Sequence, residues 1–322
     1  MTAVGAPPNL ELPFFAYGIF KSGELAWPRI KDHVVTVKSA RLTDWVIRLR
    51  NGLPVLIAQP AGSVQGDCVS FRNPSEGYAA VGESEPSSEY EWRTLRTEAG
   101  AHCNVLIAVK PNRGVSDEQI DSWTSADDPS FVHGMAAVKK EVTEVRARLI
   151  ERRPWLDTPA DWDAFFRLQG AFLVLWSIIE RLASFRFGTE SVPPGRSPTT
   201  IGRICQLADV VEFQNAMRKA EPRSQTVFSV RENRPKRTSS SGKVEDSVRT
   251  TEKNLKAWYQ IRSNITHRGK SAPSDNKTVL DATIDLFNTT YHYLDSVVPS
   301  MKSRWETRDV CVLLRDIDEC NE

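Results

Sequence analysis

Cysteine and net charge are both scarce in this chain. Its 322 residues include five cysteines, an odd number, and none of them forms a CxxC pair or a metal-like spacing with histidine. This usage predicts neither a metal site nor a cofactor, and it is typical of a reducing compartment. The formal net charge of +1 gives no global sign of nucleic-acid binding.

Long apolar runs are also missing. No 18-residue apolar window is free of charged and polar residues, and residues 1–11 lack a charged head followed by an apolar run. The most apolar segment, Gly170–Ile179, is short and typical of a core helix. We therefore expect a soluble, cytoplasmic protein that does not enter a membrane.

The chain is long enough for two domains, and its patterns predict an α+β protein. We expect a β-rich domain over residues 1–112, a linker and connecting helix over 113–155, an all-helical domain over 156–300, and a tail over 301–322.

The β-rich assignment depends on two predicted hairpins. Apolar residues alternate through Trp45, Ile47 and Leu49, and Asn51-Gly52 follows as a turn signal. A second hairpin is predicted over residues 92–97 and 103–109.

Several landmarks in this half occur in an order that resembles the γ-glutamylcyclotransferase-like fold. They are Pro13-Phe-Phe-Ala-Tyr17-Gly18-Ile-Phe20, Gly52-Leu-Pro54, Val64-Gln-Gly66-Asp67, and Val81-Gly-Glu83-Ser-Glu85-Pro followed by Tyr90. The resemblance implies a small β-barrel whose first strand ends in Tyr-Gly.

The resemblance also implies a pocket for a γ-glutamyl-like ligand. Its residues would be Tyr17 and Gly18, whose backbone would face a carboxylate, with Tyr90 and an acid/base glutamate. Glu85 matches that glutamate, and Glu83 is the alternative. Because Ile19 replaces the usual Ser or Thr, a ligand-sensing or scaffold role is expected rather than catalysis.

The second half is predicted to be helical. Thr158-Pro-Ala-Asp161 is a helix-start signature, and apolar residues lie on nearly every side of the helix that follows, through about Phe187. Such a helix is central to a core or forms a dimer face. One or two short helices are predicted over 199–219 and an amphipathic helix over 276–298.

Arg262 and His267 lie near the end of another predicted helix, with Gly269 at its expected C′ position. Arginine can hold a phosphate, and histidine titrates near neutral pH. On composition and spacing alone, the alternative is a surface arginine and a helix-capping histidine.

This arginine, four intervening residues and histidine, late in a helix of an all-helical domain, resemble the HEPN superfamily. The resemblance implies a homodimer in which two such helices form one metal-independent endoribonuclease site. Ser263 departs from the usual Asn, Asp or His after the arginine, and Asn264 is the expected substitute. Glu180 and Arg181 would border the site, or form a surface ion pair.

The predicted function is therefore a HEPN-type ribonuclease, restrained by an antitoxin or regulatory partner, as in toxin or antiviral-defence systems. Residues 222–270 include twelve Lys and Arg but only four Asp and Glu, and this positive surplus favours RNA as the partner. The alternatives are a γ-glutamyl cyclotransferase with a helical dimerisation module, and an RNA-binding protein that does not cleave.

Overall fold

The computed structural model confirms a mixed α+β protein. It describes residues 3–151, 158–188, 200–223, 226–229, 234–237, 247–268 and 275–313. The chain divides into two compact units. The first comprises Met1–Pro129 with Ser184–Pro193, and the second comprises Ser130–Ala183 with Pro194–Glu322.

A five-stranded sheet forms the first unit, in the order β2-β3-β1-β5-β4. Its strands are β1 (Phe14–Ala16), β2 (Val34–Arg50), β3 (Leu53–Phe71), β4 (Tyr90–Arg96) and β5 (His102–Ala108), and helix α1 (Pro74–Gly82) follows β3. The central strand β1 is antiparallel to β3 and parallel to β5.

Both predicted hairpins are confirmed. Arg50 pairs with Leu53 across a two-residue turn. Asn51 and Gly52 in that turn have φ of 52° and 81°, the left-handed region that Asn-Gly tolerates. The second hairpin pairs β4 with β5 in register from Tyr90–Ala108 to Arg96–His102.

The expected closed barrel is not formed by the described strands. The edge strands β2 and β4 approach at one point, where Leu42 bridges Thr97 and the amide of Glu98 donates to the Arg41 carbonyl at 2.8 Å. Among the described strands, β2 and β4 otherwise remain the two edges of the sheet, with no continuous ladder between them. The sheet is therefore open.

The segment predicted as a linker packs against this sheet instead. Ile120 pairs with Ile47, and the amide of Ser116 donates to the Leu49 carbonyl at 2.8 Å. Trp123 is fully buried, and its Nε1 donates to the Gly52 carbonyl at 3.1 Å. The first unit therefore continues to residue 129, because Ile120 and Trp123 pack into the core of the sheet despite the polar character of the segment.

The second unit contains the predicted helices. They are α2 (Met135–Glu151), α3 (Pro159–Phe187), α4 (Thr200–Cys205), α5 (Val211–Ala220), α6 (Ser247–Arg268), α7 (Asn276–Val297) and, in the tail, α8 (Met301–Glu306). Trp305 of α8 is buried, and its Nε1 donates to the Phe131 carbonyl at 3.0 Å. The start of the tail is therefore part of the helical core.

Helix α3 begins as its sequence predicts. The Thr158 hydroxyl donates to the Asp161 carboxylate at 2.7 Å, which also accepts from the Thr158 amide, while the Asp161 amide donates back to the hydroxyl at 3.3 Å. By length and composition α3 could cross a membrane, but 61% of its most apolar window is buried within the protein, as in a core helix.

The basic region between residues 222 and 270 also contains two short strands. In this region β7 (Arg234–Arg237) pairs with β6 (Thr226–Ser229), and Val227 is buried. Residues 238–246 and Gly269 lie outside the described residues.

Candidate functional site

The predicted Arg262, Ser263 and Asn264 lie within one turn near the end of α6. All three are half-buried, and they follow the core residues Trp258 and Ile261. The packed face of the helix therefore holds the polar groups at the margin of the helical core.

Local hydrogen bonds orient this polar stretch. Gln260 Nε2 donates to Asn264 Oδ1 at 2.8 Å, and Arg262 Nη1 donates to Thr266 Oγ1 at 3.4 Å. The Thr266 hydroxyl in turn donates to the Arg262 carbonyl at 2.9 Å. The backbone of His267 belongs to α6, while its side chain lies outside the described residues.

Glu180 lies on α3 next to its contact with α6. Trp176 Nε1 donates to Glu180 Oε1 at 2.7 Å, and the Trp176 ring lies 5.9 Å from the ring of Tyr259, one turn before Arg262. Arg181 is half-buried on the same helix. The α3–α6 contact thus holds Glu180 beside the helix that carries Arg262.

A cavity of about 550 Å³ in the first unit contains four of the five residues predicted for a pocket. Tyr17, Gly18, Glu85 and Tyr90 line it, whereas Glu83 is exposed and is not among the lining residues. The geometry therefore favours Glu85 over Glu83 as the glutamate of this site. A volume in this range suits a small molecule.

Glu85 is the main acid/base group of the cavity. Burial raises its pKa to about 8, and the nearby Arg29 guanidinium opposes this shift only in part. The carboxyl group therefore carries a proton at pH 7 and can donate a hydrogen bond. It can also exchange a proton near neutral pH.

The two tyrosines present neutral groups. Tyr17 is buried and its hydroxyl donates to the Leu106 carbonyl at 2.9 Å, while burial raises its pKa well above the usual value. Burial, followed by the charge of Glu85, also raises the pKa of Tyr90. Neither phenol ionises near neutral pH, so neither supplies negative charge to the cavity.

Close packing of Gly18 against the ring of Pro54 forms one wall of the cavity. A Cβ at Gly18 would lie 2.7 Å from Pro54 Cγ, so the two landmarks Tyr17-Gly18 and Gly52-Leu-Pro54 fit together only with glycine at position 18.

Three arginines of the cavity were missed in the sequence. Arg29 comes from the turns before β2, Arg50 ends β2, and Arg113 comes from the segment predicted as a linker. They lie far apart in the chain and form no motif. The position of Arg50 directly before the Asn-Gly turn was the one available signal.

Three polar atoms of the residues that line the cavity are buried without hydrogen-bond partners among the described residues. They are Arg29 Nη1, Arg50 Nε and Ser84 Oγ. Arg50 Nη1 pairs with Glu89 at 3.3 Å, and its Nη2 donates to the Lys110 carbonyl. An unpartnered buried donor costs about 1–3 kcal/mol, so these groups favour a ligand that accepts hydrogen bonds.

In the described part of the chain, no cluster of three or more His, Cys, Asp or Glu side chains could hold a metal ion. No protein-family model, curated protein or solved structure matches this chain.

Proposed function

We propose that the second unit is a metal-independent endoribonuclease whose site includes Arg262 and His267. The observation that carries this proposal is the half-buried polar stretch Arg262-Ser263-Asn264 at the end of α6, which follows the buried face of the helix. A rigid helix is a precise support for catalytic groups.

The proposed reaction uses the 2′-hydroxyl of the RNA itself. His267 accepts the proton of that hydroxyl, and the 2′-oxygen attacks the adjacent phosphorus. The bond to the 5′-oxygen breaks as this oxygen receives the proton from the imidazolium of His267. Arg262 stabilises the negative charge on the phosphate oxygens, while Asn264 or Ser263 orients the phosphate. The products are a 2′,3′-cyclic phosphate and a 5′-hydroxyl.

Helix geometry supports a site shared by two copies of the chain. At about 100° per residue, positions 262 and 267 lie roughly 140° apart around the helix, so one helix does not aim both side chains at one atom. In a homodimer, the two copies would bring their arginine and histidine side chains together in one site. An antitoxin or another regulatory partner would restrain this activity, with the first unit as sensor or scaffold.

The test is incubation of the purified protein with total RNA in a chelator, followed by analysis of the RNA ends. We expect cleavage by the wild type, and loss of cleavage in Arg262→Ala and His267→Ala. Lys256→Ala is the matched control, because Lys256 is an exposed cation of the same helix, paired with Glu252 at 2.9 Å.

Two results would reject the ribonuclease. One is equal cleavage by wild type and His267→Ala, which indicates a contaminant. The other is intact RNA recovered after salt-sensitive binding, which indicates an RNA-binding protein that does not cleave.

The cavity supports a second candidate, a γ-glutamyl cyclotransferase, because Glu85 has a pKa of about 8 beside Tyr17-Gly18. The substrate amine would attack its own γ-carbonyl to form 5-oxoproline, with Glu85 moving the proton from that amine to the departing amine. Glu85→Gln would abolish 5-oxoproline release under this proposal, while Glu83→Gln, at an exposed glutamate outside the cavity, would retain it.

A further inference from the structure

We propose that the cavity of the first unit binds a small organic dianion, a molecule with two acidic groups on an apolar spacer, through Arg29 and Arg50. The proposal does not depend on ribonuclease activity in the second unit. It names the ligand class of the cavity and is tested by binding without turnover.

The charge of the cavity supports two acidic groups. Three arginines line it against two glutamates, Glu85 and Glu89. Because Glu85 is protonated at pH 7, the lining carries a surplus of two positive charges. A ligand with two negative charges neutralises this surplus, whereas a zwitterion leaves it in place.

Both guanidinium groups act on ionisable groups at the cavity. The charge of Arg29 acts on Glu83 and Glu85, while the charge of Arg50 acts on Tyr17 and Tyr90. Each has one buried nitrogen without a hydrogen-bond partner among the described residues, Nη1 of Arg29 and Nε of Arg50. A ligand with two acidic groups offers a charged acceptor to each of these nitrogens.

The spacer is inferred from the apolar part of the lining. Phe14, Phe20, Leu53 and Leu106 surround the same cavity. A short hydrocarbon between the acidic groups would pack against these side chains and would itself be removed from water. Ser84 Oγ, buried and without a partner in the described ranges, supplies a further neutral donor.

The experiment is isothermal titration calorimetry of the full chain at pH 7 with glutarate, butyrate and L-glutamine. These probes carry two acidic groups, one acidic group, and a carboxylate with an ammonium group. We expect glutarate to bind at least about tenfold more tightly than either of the others, the factor that 1.4 kcal/mol represents.

Arg29→Gln and Arg50→Gln are each expected to weaken glutarate binding at least about tenfold, towards the butyrate value. Arg48→Gln is the control, because Arg48 is a half-buried arginine of the same strand as Arg50 and is not among the lining residues. Thermal unfolding identifies any variant that does not fold, and Arg113→Gln then replaces it.

The proposal is overturned if glutarate does not bind at millimolar concentration, if butyrate or glutamine binds as tightly, or if folded Arg29→Gln and Arg50→Gln retain wild-type affinity. Because glutarate has no amide to cleave and no RNA is present, none of these results depends on either proposed activity. Conversely, a protein that binds glutarate but releases no 5-oxoproline from a γ-glutamyl substrate would reject only the cyclotransferase.

Discussion

Gly18 and Pro54 approach so closely that a methyl group on Gly18 would lie 2.7 Å from Pro54 Cγ. This contact joins the end of β1 to the start of β3 at the wall of the cavity. The proline ring is stiff, so added volume must displace the backbone or enter the cavity.

Gly18→Ala is therefore expected to destabilise the protein by about 1–3 kcal/mol, the usual cost of overpacking. Urea unfolding measures the change in the free energy of unfolding. Gly5→Ala is the control, because a Cβ on Gly5 would meet no atom within 4 Å. An unchanged stability in Gly18→Ala would show that the wall adjusts freely.

The affinity for glutarate should fall as the pH rises through about 8. Burial raises the pKa of Glu85, so the carboxyl is neutral below this pH and adds a negative charge above it, which repels a dianion. The other charged and titratable groups facing the cavity are Arg29, Arg50, Arg113, Glu89, Tyr17 and Tyr90. The arginines stay charged, and the raised pKa of both tyrosines keeps them neutral throughout this range.

Calorimetry between pH 6.5 and 9 checks this dependence, a window placed around that pKa of about 8. Glu85→Gln should bind glutarate at pH 7 and lose the decline above pH 8. A decline of the same size in both proteins would assign the titration to another group.

Thr158→Ala should destabilise the helical unit by about 1 kcal/mol, because the substitution removes the side chain that caps α3. Chemical denaturation measures the loss. Ser177→Ala is the comparison on the same helix, since its exposed hydroxyl donates only to the Val174 carbonyl and its removal should change stability by less than about 0.5 kcal/mol.

Gly170→Ala should stabilise α3. Gly170 is exposed in the middle of the helix, and a Cβ there would meet nothing within 4 Å. Alanine is favoured over glycine in a helix interior by about 1 kcal/mol. Unfolding at higher urea concentration is the expected result, and a loss of stability would indicate that another copy of the chain packs closely at this face.

The elements of this fold were predictable because their signals are local. The Asn51-Gly52 turn, the Thr158 cap and the helical spacing of Leu255, Trp258 and Ile261 all act within a few residues. Interactions between distant segments were not predictable. The open five-stranded sheet depends on how β3 and β5 each pair with β1, and the sequence of neither hairpin contains this information.

Residues of the candidate site were likewise predictable where they belong to a local motif, and were missed where tertiary packing brings them to the cavity. Tyr17, Gly18 and Glu85 were found because they belong to ordered landmarks, and the structure brings them to one cavity. Arg29 and Arg113 were missed, since tertiary packing brings them to that cavity from separate loops. The side chain of His267 lies outside the described residues, so its role at α6 stays a prediction.

The packing of Trp123 under the Asn51-Gly52 turn determines where the first unit can be cut. A fragment ending at residue 112 would lose the indole hydrogen bond to Gly52 and the pairing of Ile120 with Ile47, and would expose the apolar surface beneath them. Expression of the β-rich half should therefore extend at least to Pro129, and a shorter fragment should aggregate.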